Sequence, residues 1–157
     1  MSRANYPTGA VQFLSVPESS PNPDFFAVLD CRTSNRLFRN LEQSQLESLL
    51  WHSMRVKNVR YSEVGNLYSF RPAPSAGAIH PIDLILFPPG ESECPKLFDP
   101  FSHALKDLVV STNKVNSFLE HVDHCLDRGQ GTLLWFAAQP ELTAAKYDSP
   151  ASLYWRD

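Results

Sequence analysis

Arg71-Pro72-Ala73-Pro74-Ser75-Ala76-Gly77-Ala78-Ile79-His80-Pro81 runs directly into Ile82-Asp83-Leu84-Ile85-Leu86-Phe87. Prolines and a glycine among small residues predict a shaped loop rather than a helix. The alternation and β-branching after Pro81 predict a buried strand. Small side chains from Pro74 to Ala78 let a flat ligand approach the backbone, where peptide N–H groups become donors. Taken alone, the stretch reads equally well as a rigid turn before a core strand.

Upstream, Arg32-Thr33-Ser34-Asn35-Arg36-Leu37-Phe38 places two guanidiniums and a hydroxyl at every second residue. An extended segment points all three to one side. Arginine forks converging with a hydroxyl make a phosphate cradle. In this order, the two stretches resemble the FMN-dependent nitroreductase family. That family opens with an Arg-x-Ser-x-Arg-x-Phe phosphate motif and later carries a Pro-Ser-rich loop under the flavin ring. Ala78 and His80 stand where general nitroreductases tend to have Asn and Gln. The resulting form is similar to the SagB-type branch, the thiazoline and oxazoline dehydrogenases of peptide natural-product pathways. Leu49-Leu50-Trp51 and the segment from Phe98 to Leu105 also look like that branch, and the resemblance covers roughly residues 25 to 157.

The resemblance implies an α+β nitroreductase-like fold: a central, mainly antiparallel sheet flanked by helices, in a homodimer with FMN at the subunit interface. It implies that Arg32, Ser34 and Arg36 hold the phosphate and ribityl chain. Pro74, Ser75, Ala76, Gly77 and Ala78 would line the ring. A Lys-Tyr pair is associated with catalysis in the azoline dehydrogenases, and here the pair is Lys146-Tyr147. Aromatising an azoline requires proton removal at carbon while hydride leaves to flavin N5. A tyrosinate or neutral lysine serves as that base only if burial or a neighbouring cation lowers its pKa. The other reading of the pair is a packed tyrosine beside a solvated lysine at the end of a loop.

The expected function is therefore FMN-dependent oxidoreductase chemistry on a small-molecule or peptide substrate. The alternatives are a general NAD(P)H-dependent nitro or quinone reductase and a non-catalytic binding subunit. Family members continue past the point where Asp157 falls, so the C-terminal part of the fold is expected to be missing, as a fragment or a shortened relative. Loss of a central helix would expose apolar surface and weaken flavin enclosure.

The 157 residues suit one domain with a sizeable core. A hydrophobic content of 43%, with 20% charged residues, fits a globular chain, and a net charge of −3 gives no reason to expect nucleic acid. No apolar run is long enough to span a bilayer, and the N-terminus lacks a signal-peptide pattern. Cys31, Cys94 and Cys125 have no metal or redox spacing, which suits free thiols in a reducing cytoplasm.

Residues 1–22, rich in proline and serine, predict a flexible arm before a domain over 23–157. Asn22-Pro23-Asp24 predicts the start of a short helix ending near Cys31. Leu46, Leu49, Leu50 and Met54 predict a helix from about Leu41, with Asn40 and Gln43 at capping-box spacing. Residues 55–70 show no clear period and read as a loop. Lys96 to Pro100 predicts a short strand, and Ser102 to Leu105 a turn or helical segment. Asn113 to Leu126 predicts a helix whose His121 and His124 have metal-compatible spacing but no evident third ligand, so no metal is expected. Gly131 to Ala138 is an apolar run that predicts a strand at the sheet centre.

Overall fold

The computed structural model describes residues 3–18, 23–34, 37–63, 67–90, 94–126 and 128–147. Along the chain come β1 (Thr8–Phe13), α1 (Phe25–Cys31), α2 (Gln43–Met54), β2 (Asn58–Tyr61) and β3 (Leu67–Phe70). Then follow a 3-10 turn at Ala76–Ala78, β4 (Ile82–Phe87), β5 (Lys96–Asp99), β6 (Ala104–Leu108), α3 (Thr112–Cys125), β7 (Leu133–Ala138) and α4 (Pro140–Tyr147).

The apolar run after Pro81 becomes β4, and its period of two divides the molecule. Leu84 and Leu86 point to one face and are buried with Leu14, Phe98, Leu105 and Leu50. Leu46, Leu50 and Met54 recur every fourth residue on α2, so one stripe of that helix covers this face. Ile85 pairs with Trp135 across β4 and β7. On that second face Phe118 of α3 packs 5.0 Å from Phe87 and 4.8 Å from Trp135, ring centroid to centroid. Helices thus cover both sides of one sheet.

The five strands run in the order β1-β6-β5-β4-β7, and every neighbouring pair is antiparallel. β2 and β3 form a separate antiparallel hairpin. This is the α+β arrangement expected from the sequence. Lys96 pairs with Asp107 and Lys106 with Asp99 at 2.7 Å each, tying β5 to β6. Cys31, Cys94 and Cys125 are free and exposed. No helix among the described residues is long and apolar enough to cross a membrane.

Several local expectations need correction. Residues 8–13, assigned to a flexible arm, form edge strand β1 on β6; residues 1, 2 and 19–22 of that arm lie outside the described residues. β7 is the other edge rather than the sheet centre. Its run is apolar on both faces because α3 takes Trp135 on one side while Phe136, 64% exposed, looks out from the other. The segment read as a loop over 55–70 contains β2 and β3, and Ala104–Leu108 is a strand. The capping box of α2 uses Glu42 and Gln45, not Asn40 and Gln43. Asp24 is the N-cap of α1, accepting from the Phe26 N–H at 2.8 Å.

Candidate functional site

Ser75 shapes the turn that precedes β4. Its carbonyl accepts from the Ala78 N–H at 3.0 Å, and its hydroxyl accepts from the His80 N–H at 2.9 Å. The chain is driven into the left-handed region at Gly77 (φ 60°), Ala78 (φ 54°) and His80 (φ 49°). Glycine adopts that region freely, whereas alanine and histidine are strained there by about 1–2 kcal/mol each. The surroundings must hold them. Among the described residues, the Ala76 and Gly77 N–H groups have no hydrogen-bond partner.

The strained segment is held from three sides. The buried His80 ring donates Nε2–H to the Ser69 carbonyl of β3 at 2.9 Å, since a carbonyl can only accept. Burial, with the Arg71 guanidinium nearby, pushes His80 down to about 4, so the ring is neutral at pH 7. Arg3 donates to the Ile79 and His80 carbonyls at 2.8 and 2.9 Å and pairs with Asp83 at 3.2 Å. Gln139 donates to Asp83, accepts from the Ala4 N–H at 2.8 Å, and bonds the Pro81 carbonyl through its own N–H. Tyr6 also bonds Asp83; burial and that carboxylate raise its hydroxyl pKa. The N-terminal segment is therefore a strap across the loop's exit.

Gln139 also leads into α4, whose buried Leu142 and Thr143 dock it against the body of the protein. Its last turn delivers Lys146 and Tyr147 over the 3-10 turn. A Cβ at Gly77 would collide with Lys146 Nζ and stand 2.6 Å from the Tyr147 hydroxyl. Lys146 Nζ lies 3.5 Å from the Gly77 carbonyl and 5.0 Å from the centroid of the Tyr68 ring. The pair read as the end of a loop is the end of a helix.

A cavity of about 650 Å³ opens beside this contact, lined by Arg60, Tyr68, Arg71, Ser75, Gly77 and Lys146 among others. Pro74 and Ala78 also line it, while Ala76 contributes the turn itself. Its size falls in the ~300–1,000 Å³ range of small-molecule clefts. A second cavity of about 460 Å³ shares Tyr68, Ser69 and Lys146 and reaches Arg3 and Phe101.

Of the expected phosphate motif's site residues, Arg32 and Ser34 are described. Arg32 ends α1, its N–H bonded to the Leu29 carbonyl at 3.3 Å, and both it and Ser34 are exposed. Neither lines the cavities around the turn. Arg36 lies outside the described residues. His121 and His124 are both on α3, where His124 Nδ1 bonds the Glu120 carbonyl at 2.6 Å.

The surroundings of the turn offer a flavin ring two peptide donors without partners among the described residues and the aromatic walls of Tyr68 and Phe70, while the close approach at Gly77 is taken by Lys146 and Tyr147. Sequence reasoning did not single out Arg3, Arg60, Arg71, Asp83 or Gln139. Arg71 stood at the head of the decisive stretch, and a cation before a ligand-shaped loop was the available signal.

No family model matches the chain, and no curated protein matches its sequence. Two solved structures, each a "putative nitroreductase", share its fold. One, from Anabaena variabilis ATCC 29413, superposes with a TM-score of 0.66 at 20% identity, over 97% of this chain. The fold is nitroreductase-like. The other, from Ralstonia eutropha JMP134, gives a TM-score of 0.61 at 19% identity over 99% of this chain. The chain spans 29% of the length of the Anabaena protein and 70% of the Ralstonia protein.

Proposed function

We propose that the protein is an FMN-dependent oxidoreductase whose reaction centre is the turn from Ser75 to Ala78. The observation that carries this reading is the placement of Lys146 and Tyr147, far along the chain, against Gly77. Bound there, FMN would supply a two-electron carrier able to accept or donate hydride at N5. The Ala76 and Gly77 N–H groups would donate to the electron-rich edge of the reduced ring. Tyr68 and Phe70 would exclude water from its face. Arg32, Ser34 and Arg36 remain the proposed phosphate ligands on their sequence motif.

Within that class the finer proposal is SagB-type dehydrogenation of an azoline in a modified peptide. The bound FMN would supply the hydride acceptor for one carbon of the substrate ring, and Tyr147 Oη or Lys146 Nζ, both placed against Gly77, would take the proton from the neighbouring carbon. The close approach of both atoms to Gly77 favours this reading over a site that needs no protein base. The nitroreductase description of both fold neighbours favours the second reading, a general NAD(P)H-dependent nitro or quinone reductase. A homodimer is proposed with either.

Turnover by FMN-loaded Tyr147→Phe separates them. Azoline oxidation lost in the variant, and present in the parent, supports the dehydrogenase. Nitro or quinone reduction undiminished by the substitution, with no azoline oxidation in the parent, supports the reductase. Neither reaction in the parent would overturn both.

A further inference from the structure

We propose that the cavity beside the 3-10 turn binds a planar carboxylate, an aromatic or heteroaromatic acid, on the free edge of the Arg71 guanidinium. Arg71 donates Nε–H to Ser69 Oγ at 3.1 Å, and its guanidinium carbon lies 5.7 Å from the centroid of the Phe101 ring. Its two terminal nitrogens have no hydrogen bond or ion pair among the described residues.

Two more cations line the same cavity, and each is likewise held by a ring. Arg60 stands over Phe70 at 5.4 Å and Lys146 over Tyr68 at 5.0 Å. None of the three has a carboxylate partner among the described residues, and no Asp or Glu lines the cavity. The acids near enough to act on Arg71 are Asp83 and Asp99. Both are engaged: Asp83 by Arg3 and Gln139, Asp99 by Lys106, Ser102 and the Phe101 N–H. Burial, with Arg3 nearby, lowers the Arg71 pKa to about 10, against the opposing pull of Asp83 and Asp99. A chain of net charge −3 that gathers around one cavity three cations without a carboxylate partner among the described residues concentrates positive potential there.

The geometry favours carboxylate over a tetrahedral anion. With Nε committed to Ser69, the remaining two-nitrogen edge matches the two oxygens of one carboxylate. Tyr68, Phe70 and Pro74 offer flat walls to a ring attached to it. The inference goes beyond the oxidoreductase reading and does not require flavin to bind; because Tyr68, Phe70 and Pro74 also wall the proposed flavin site, the acid and the flavin ring would compete for them, and each is titrated into protein free of the other.

The test is calorimetric titration of the 157-residue protein with benzoate at low ionic strength, and separately with inorganic phosphate. Saturable one-to-one benzoate binding, weakened at least tenfold by Arg71→Gln and unchanged by Arg128→Gln, supports the site; Arg128 is paired with Asp123 instead. Arg71→Lys, which keeps the charge and loses the fork, is expected to bind several-fold more weakly than the parent, and it stands in should Arg71→Gln fail to fold by circular dichroism. Absence of benzoate binding, equal affinity in the Arg71 variants, or binding of phosphate without benzoate would overturn it. An FMN titration run alongside keeps the two readings apart. Benzoate binding without flavin binding removes only the oxidoreductase proposal, and flavin binding without benzoate binding removes only this one.

Discussion

Lys146 Nζ meets the carbonyl oxygen of Gly77 at 3.5 Å across 69 residues of chain. That is the long limit of a hydrogen bond, so the contact reports position more than strength. What it shows is that α4 ends directly over the 3-10 turn, with no room for a side chain at residue 77.

Gly77→Ala is therefore expected to act twice. The left-handed φ strains alanine by about 1–2 kcal/mol, and the new methyl displaces Lys146 and Tyr147. Thermal melting should show a loss of about 2–8 °C. A variant as stable as the parent would mean that α4 does not close on the turn.

Arg3→Ala removes donors from the Ile79 and His80 carbonyls and frees Asp83. Because Arg3 is partly exposed, the expected loss of stability is only about 1 kcal/mol. The clearer readout is local. Amide hydrogen exchange at His80, whose N–H bonds Ser75 Oγ, should accelerate while that of Leu84 and Leu86 in β4 does not. Unchanged exchange at His80 would contradict a strap.

His80 gives the protein an acid-side pH dependence. The unfolded chain takes up this proton near 6.5 and the native chain only near 4. Between those values the unfolded state holds more protons, so the contribution is complete above 6.5 and is lost as pH falls towards 4. His80→Asn suits the left-handed backbone and removes the titration. Urea unfolding at pH 7, 6 and 5 should show a smaller decline for the variant; parallel declines would refute the role of His80.

Much of the framework was legible because local pattern and final burial agree. Leu84 and Leu86 alternate into the core, and Leu46, Leu50 and Met54 stripe α2. β1 escaped notice because all six of its residues are exposed, leaving no alternation to read. β7 was misplaced because an apolar run looks the same at an edge as at a centre when a helix covers one face. The turn from Ser75 to Ala78 was visible from its composition. Its partners were not: Arg3, Gln139 and Lys146 reach it from opposite ends of the chain, and pairings of that range leave no local pattern. Lys146 and Tyr147 came into view only through resemblance.

The most direct test of the central claim is an FMN titration, followed by absorbance after desalting, of the parent protein and Gly77→Val. The account predicts that the parent retains flavin and that the variant, its turn blocked by a branched side chain, loses it while keeping the circular dichroism of a folded chain. A parent that stays colourless in excess FMN, or a folded variant that holds flavin equally well, would contradict a flavin site at this turn.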